Sequence, residues 1–120
     1  MCAVLLNDIS GVYLNSFCFG FRLHSDASAA GLYLAYFFRS GEGRKLLYAL
    51  AQGATRHNLS KAALMAIEFR LPSLKEQNAI SAVLSDMDAE IAALQERRDK
   101  TRVMKQGMMQ ELLTGRTRLV

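Results

Sequence analysis

The spacing of hydrophobic positions along the chain changes more than once. Near the start it alternates. In VYLNSFCFGFRL, Val12 to Leu23, the residues Phe17, Phe19, Phe21 and Leu23 are separated by Cys18, Gly20 and Arg22, with Ser16 before them. A period of two predicts a half-buried strand. Cys2 to Leu6 predicts a partner strand, with Asn7, Asp8, Ser10 and Gly11 as turn chemistry between the two. HSDASAAG breaks the alternation, and Ser25 or Asp26 is the expected cap of a helix carrying LYLAYFF, Leu32 to Phe38. That run is apolar almost all round, so it is expected to be buried. SGEG, Ser40 to Gly43, leads into a short helix around RKLLYAL. AQGATRHNLS, Ala51 to Ser60, is polar and contains glycine, and it predicts an ordered loop. Asn58 or Ser60 is the expected cap of a short helix through Ala66. IEFRLP then returns to strand.

The next change falls at the only proline. Pro72 disfavours helix at Leu71, so the strand is expected to end there. Ser73 and Glu76 form an S-x-x-E capping box, which satisfies two orphan amides at a helix start. From there nothing stops the helix before Thr114-Gly115, a suitable C-terminal cap. About 40 residues at 1.5 Å each predict a rod of roughly 60 Å. The globular part cannot cover that length, so a partner helix is expected. The apolar spacing agrees: Ile80, Leu84, Met87, Ile91 and Leu94 step by four and three, as a coiled-coil seam does. The seam then meets Arg98, Thr101 and Lys105 before recovering at Met108 and Leu112. In a parallel pair those three would face their own copies. Asp86, Asp88 and Glu90 precede the middle of the helix, whereas Arg97, Arg98, Lys100, Arg102 and Lys105 follow it. An antiparallel partner of similar sequence sets acid against base. The same polarity suits the helix dipole, but the dipole acts only in the terminal turns.

Composition bounds the picture. At 120 residues the chain is one modest domain with an appendage, and 51% hydrophobic residues exclude a disordered chain. The net charge of +4 is compatible with a polyanionic partner without requiring one. Cys2 and Cys18 have neither metal-site nor redox spacing, and with two histidines they are too few for a structural zinc site. Two reduced, buried thiols in a cytoplasmic protein are expected. The apolar run Cys2 to Leu6 is too short for a secretory signal and lacks a basic start. No window approaches the roughly 20 apolar residues that cross a bilayer, so no membrane partner is expected. Met1 leads straight into strand-like residues, as in a chain that opens inside a domain.

LPSLKEQNAISAVLSDMDAEIAAL followed by KQGMMQELLTGRTRL resembles the C-terminal conserved region of the DNA-specificity (S) subunit of type I restriction–modification enzymes. The residues that carry the likeness are Leu71, Pro72, Leu74, Glu76 and Gln77, then Asp88 and Ile91 mid-helix. Lys105, Gly107, Met109, Gln110, Leu112, Leu113, Thr114 and Gly115 follow near its end. Upstream, Gly53, Asn58, Leu59 and Ser60 look like the loop that leads, through a short helix, to the last strand of that family's target-recognition domain. A full specificity subunit is implied to have two recognition domains, each followed by a long helix, with the helices packed antiparallel as a spacer. This chain matches the latter portion of one recognition domain and one such helix.

The resemblance implies recognition and scaffolding, with methyl transfer, translocation and cleavage carried by other subunits. The residues agree: His24 and His57 lack an acid–nucleophile pattern, and no phosphate-binding glycine loop is present. No catalytic residue, cofactor or metal is expected. The basic segment Arg39 to Arg70 supplies the candidate DNA contacts. Arg44, Lys45, Arg56 and Lys61 suit phosphates; His57 and Asn58 suit base edges, with Asn58 as a simple helix cap as the competing role. Leu84, Met87, Ile91 and Leu94 are the candidate helix-pairing residues. Gly107 inside the helix costs about 1 kcal/mol relative to Ala, so either it is a weak point or another backbone approaches there. Met104, Met108 and Met109 around it make an adaptable apolar patch suited to a partner subunit or to packing.

The expected fold is α+β: a small mixed globular part over 1–71, a long helix over 72–115 and a tail over 116–120. The expected partners are double-stranded DNA, the methyltransferase and restriction subunits, and a second copy in an antiparallel homodimer. The competing reading is a structural interaction protein that pairs through its helix without specific DNA binding.

Overall fold

The computed structural model describes residues 2–5, 10–11, 13–16, 18–52 and 58–120. In chain order the elements are α1 (Gly31–Arg39), α2 (Gly41–Leu50), β1 (Ala51–Gln52), β2 (Asn58–Leu59), α3 (Lys61–Met65) and α4 (Leu74–Leu113). The chain divides into two compact units, Met1–Ala82 and Val83–Val120.

Helices dominate, and the expected α+β class is overturned. Among the described residues the only ladder is antiparallel and two pairs long, Ala51 with Leu59 and Gln52 with Asn58. The expected strand over Val12 to Leu23 is absent among its described residues. Alternation supplies a strand with a face, but a strand also needs a neighbour for its backbone groups. Here the backbone closes a local turn instead: Cys18 N–H donates to Asn15 C=O at 2.8 Å. Phe19 and Phe21 stay 37% and 44% exposed, so the burial that rewards alternation is missing. Cys2 to Leu5 likewise carry no strand, and Leu6 lies outside the described residues. The thiols depart from expectation too: Cys2 is half-buried and Cys18 exposed.

The core of the first unit grows from α1. Among the described residues its buried hydrophobic side chains, Leu34, Ala35 and Phe38, all belong to that helix, while Leu32, Tyr33, Tyr36 and Phe37 are half-buried, so the expected all-round burial is met only on one side. Neither Ser25 nor Asp26 caps it; the N-cap is Ala30, without a side-chain cap of its own. Residues 67–70, expected as a strand, run without a ladder partner and press Phe69 onto α1. The Phe69 ring stacks on Phe37 at 5.0 Å and meets Phe38 edge-on at 5.7 Å. Aromatic packing thus does what a ladder was expected to do.

α2 turns back from α1 through Ser40, whose Oγ accepts from Gly43 N–H and donates to Phe37 C=O. The two helices approach so closely that a Cβ on Gly43 would lie 2.0 Å from the Phe37 carbonyl oxygen. α3 is capped by Ser60, which accepts from Ala63 N–H at 3.0 Å. Asn58 is therefore not its cap; its backbone belongs to β2 instead.

α4 begins where Pro72 and Ser73 set it, and Ser73 Oγ accepts from Glu76 N–H at 3.4 Å. It ends at Gly115, whose φ of 75° is the left-handed value a C-terminal glycine adopts at little cost. Gly115 N–H donates to Leu112 C=O and Thr117 N–H to Glu111 C=O, which closes the last turn. The helix, Leu74–Leu113, starts and stops within two residues of the expected 72–115.

Candidate functional site

Two surfaces come from the sequence, the basic segment and the helix seam, and each is built by a particular element. In α2 the residues Gly43, Leu46, Leu47 and Leu50 recur at helical spacing and turn inward, while Gly41, Arg44, Lys45 and Tyr48 share the opposite face and are exposed. Lys45 Nζ pairs with Glu42 at 3.0 Å in water. Arg44 has no acidic partner among the described residues. Lys61 opens α3, which packs near α2, and is also exposed. Arg39 and Arg70 are exposed as well. Arg56 and His57 lie outside the described residues, and so does the Asn58 side chain. The β1–β2 ladder ties together the chain on either side of that segment.

The structure thus brings Arg44, Lys45 and Lys61 onto two neighbouring helices. Tyr48 joins the outer face of α2 at 66% exposure, and residue-type reasoning missed it. The available signal was its helical spacing from Arg44 and Lys45. Among the described residues no group of three or more His, Cys, Asp or Glu side chains could hold a metal ion. Among the described residues no helix is long and apolar enough to cross a membrane.

On α4 the pairing candidates are mostly in water. Met87, Ile91 and Leu94 are 55%, 50% and 56% exposed, whereas Leu84 is half-buried. The same face continues through Leu94, Arg98, Thr101 and Lys105, with Arg97 and Arg102 beside it, all exposed. One helix face is therefore apolar in its first half and cationic in its second. Arg98 pairs with Asp99 and Lys100 with Glu96, at 2.9 and 2.7 Å. Arg97, Arg102 and Lys105 have no acidic partner among the described residues. Met104 and Met108 are exposed, and a Cβ on Gly107 would meet nothing within 4 Å, so no other part of the described chain approaches there.

A third cluster carried no assigned role at the level of sequence. Gln77 is wholly buried at the start of α4. Its Oε1 accepts from Ala30 N–H at 2.8 Å, and its Nε2 donates to Ser28 C=O and Pro72 C=O, each at 2.9 Å. Ser81 Oγ, one turn on, donates to the Gln77 carbonyl at 2.7 Å. This side chain supplies what α1 lacks at its N-cap and fastens the first turn of α4 to it.

A family model described as the type I restriction modification DNA specificity domain matches residues 3–101. No solved structure matches the chain.

Proposed function

We propose a role that proceeds from one fact: the chain belongs to the type I restriction modification DNA specificity domain family. It acts as the sequence-recognition subunit, or as part of one, in a cytoplasmic type I restriction–modification complex. It binds double-stranded DNA and docks the methyltransferase subunit, with the restriction subunit joining the same assembly, and it performs no chemistry itself. The observation that carries this reading is the extent of the family match, which takes in the whole basic segment and most of α4. In this division of labour, residues 1–71 are the latter portion of a recognition domain and residues 72–115 the spacer helix. Arg44, Lys45, Arg56 and Lys61 hold phosphates, and His57 and Asn58 face base edges.

The test is the salt dependence of duplex DNA binding. Affinity falls with a log–log slope of about −0.9 per phosphate neutralised. Replacing Arg56 and Lys61 together by Ala flattens that slope. A wild-type chain whose binding ignores salt overturns the DNA reading; an unchanged slope in the double variant removes those two residues from the interface.

A second reading rests on the exposed seam of α4: the chain pairs through its helix and binds no DNA specifically. Half-exposed Met87, Ile91 and Leu94 favour a helical partner in either reading. The occupant proposed is a second copy running antiparallel, related by a two-fold axis near Ile91 to Leu94. That register sets Thr101 of one copy beside Leu84 of the other, and Arg97 beside Asp88. The aliphatic stems of Arg98, Arg102 and Lys105 then lie over apolar residues while their charged heads reach water and the flanking carboxylates.

A further inference from the structure

We propose that the outer face of α2 lies directly on duplex DNA, with Arg44 and Lys45 on phosphates and the Tyr48 ring against the groove edge. This rests on the DNA reading and names the element that docks. Arg44, Lys45 and Tyr48 occupy one face at i, i+1 and i+4, all exposed, and the opposite face is spent on packing. A lone cationic helix face is common on protein surfaces; two further features distinguish this one.

The first is its mounting. Gly43 brings the α2 backbone against the Phe37 carbonyl, and Ser40 bonds to both helices at the turn between them. The face is thus presented by a fixed element rather than by a loop, and little freedom remains to be lost on binding. The second is Tyr48, a large ring 66% exposed one turn beyond Arg44. A ring with a polar tip between cations suits a surface that offers phosphates, sugars and base edges together. A helix of this width also fits the major groove. Glu42 opposes the idea locally, because its carboxylate already pairs with Lys45. That pair is exposed on both sides and so is weakly held, which leaves Lys45 able to exchange Glu42 for a phosphate.

The experiment uses the full chain and a mixed-sequence duplex of random core. Arg44→Ala with Lys45→Ala should lower the magnitude of the log–log salt slope by about 1.8, two phosphates' worth. Tyr48→Ala should weaken binding about tenfold with the slope unchanged, as the loss of an uncharged groove contact does. Lys75→Ala with Arg116→Ala removes the same charge elsewhere and should leave the slope as it was. These side chains are exposed, and unchanged helicity by circular dichroism verifies that each variant folds. A steep wild-type slope that the Arg44/Lys45 variant does not alter turns α2 away from DNA while leaving the proposed function standing. A control variant that flattens the slope equally reduces the effect to net charge and overturns the assignment. Salt-independent binding by the wild type overturns both.

Discussion

At the scale of the residue, Gln77 and the glycines separate chemistry from space. Gln77→Ala would remove the partner of the Ala30 amide and of the Ser28 and Pro72 carbonyls, in a joint where Gln77 is wholly buried, Ala30 and Pro72 are half-buried and Ser28 is exposed. Losing a part-buried hydrogen bond costs about 0.5–1.5 kcal/mol, so a loss of about 2 kcal/mol is expected in denaturant melts. A change below 1 kcal/mol would mean that water replaces the amide. The two helical glycines predict opposite signs. Gly43→Ala forces a methyl against the backbone of α1 and should destabilise strongly, because the obstacle is a carbonyl that cannot rotate away. Gly107→Ala meets open space and should stabilise the isolated chain by about 1 kcal/mol. Thermal melts of both variants side by side check the contrast. Gln77 was legible only as part of a motif. Its role depends on Ser28, Ala30 and Pro72 meeting in space, which no local spacing announces.

At the scale of the element, helices were legible and strands were not, for one physical reason. A helix closes its hydrogen bonds within itself, so spacing and end signals suffice to place it. Ser60, Ser73 and Gly115 each act where a cap was read. A strand depends on a partner, and the alternation from Phe17 to Leu23 says nothing of whether a neighbour is present. Phe69 shows the converse: its segment was read as strand for its residue types, yet it is held by ring contacts with α1. Ser73→Ala tests the start of α4. It removes the acceptor for Glu76 N–H and should cost about 1 kcal/mol in thermal melts. No loss would move the effective start of the helix downstream.

At the scale of the whole molecule, the basic segment and the seam were legible as residue types, but not their surroundings. The sequence pointed to Arg44 and Lys45 without revealing that α2 is clamped on its other side, and it passed over Tyr48. For assembly, burying Met87, Ile91 and Leu94 against a second copy would recover about 25 cal/mol for each Å² taken from water. Sedimentation at tens of micromolar should report a dimer, and Ile91→Asp should return it to monomers. Cross-links should join Leu84 of one copy to the region of Thr101 of the other; links from Leu84 to its own counterpart would mean parallel helices. The buried joint at Gln77 has one more consequence, concerning acidity. An amide carries no ionisable proton, so the contact between α1 and α4 holds equally in acid and in neutral solution. Gln77→Glu would change that. Its carboxyl would face two carbonyl oxygens in a buried site, and both circumstances raise its pKa above the ordinary value of about 4.3. A group raised in the folded state contributes its stability below the unfolded pKa and loses it as pH climbs through the folded one. The variant should therefore lie nearest the wild type at about pH 4 and fall behind towards pH 7. Parallel stability curves for the two proteins would show that the joint does not need its amide.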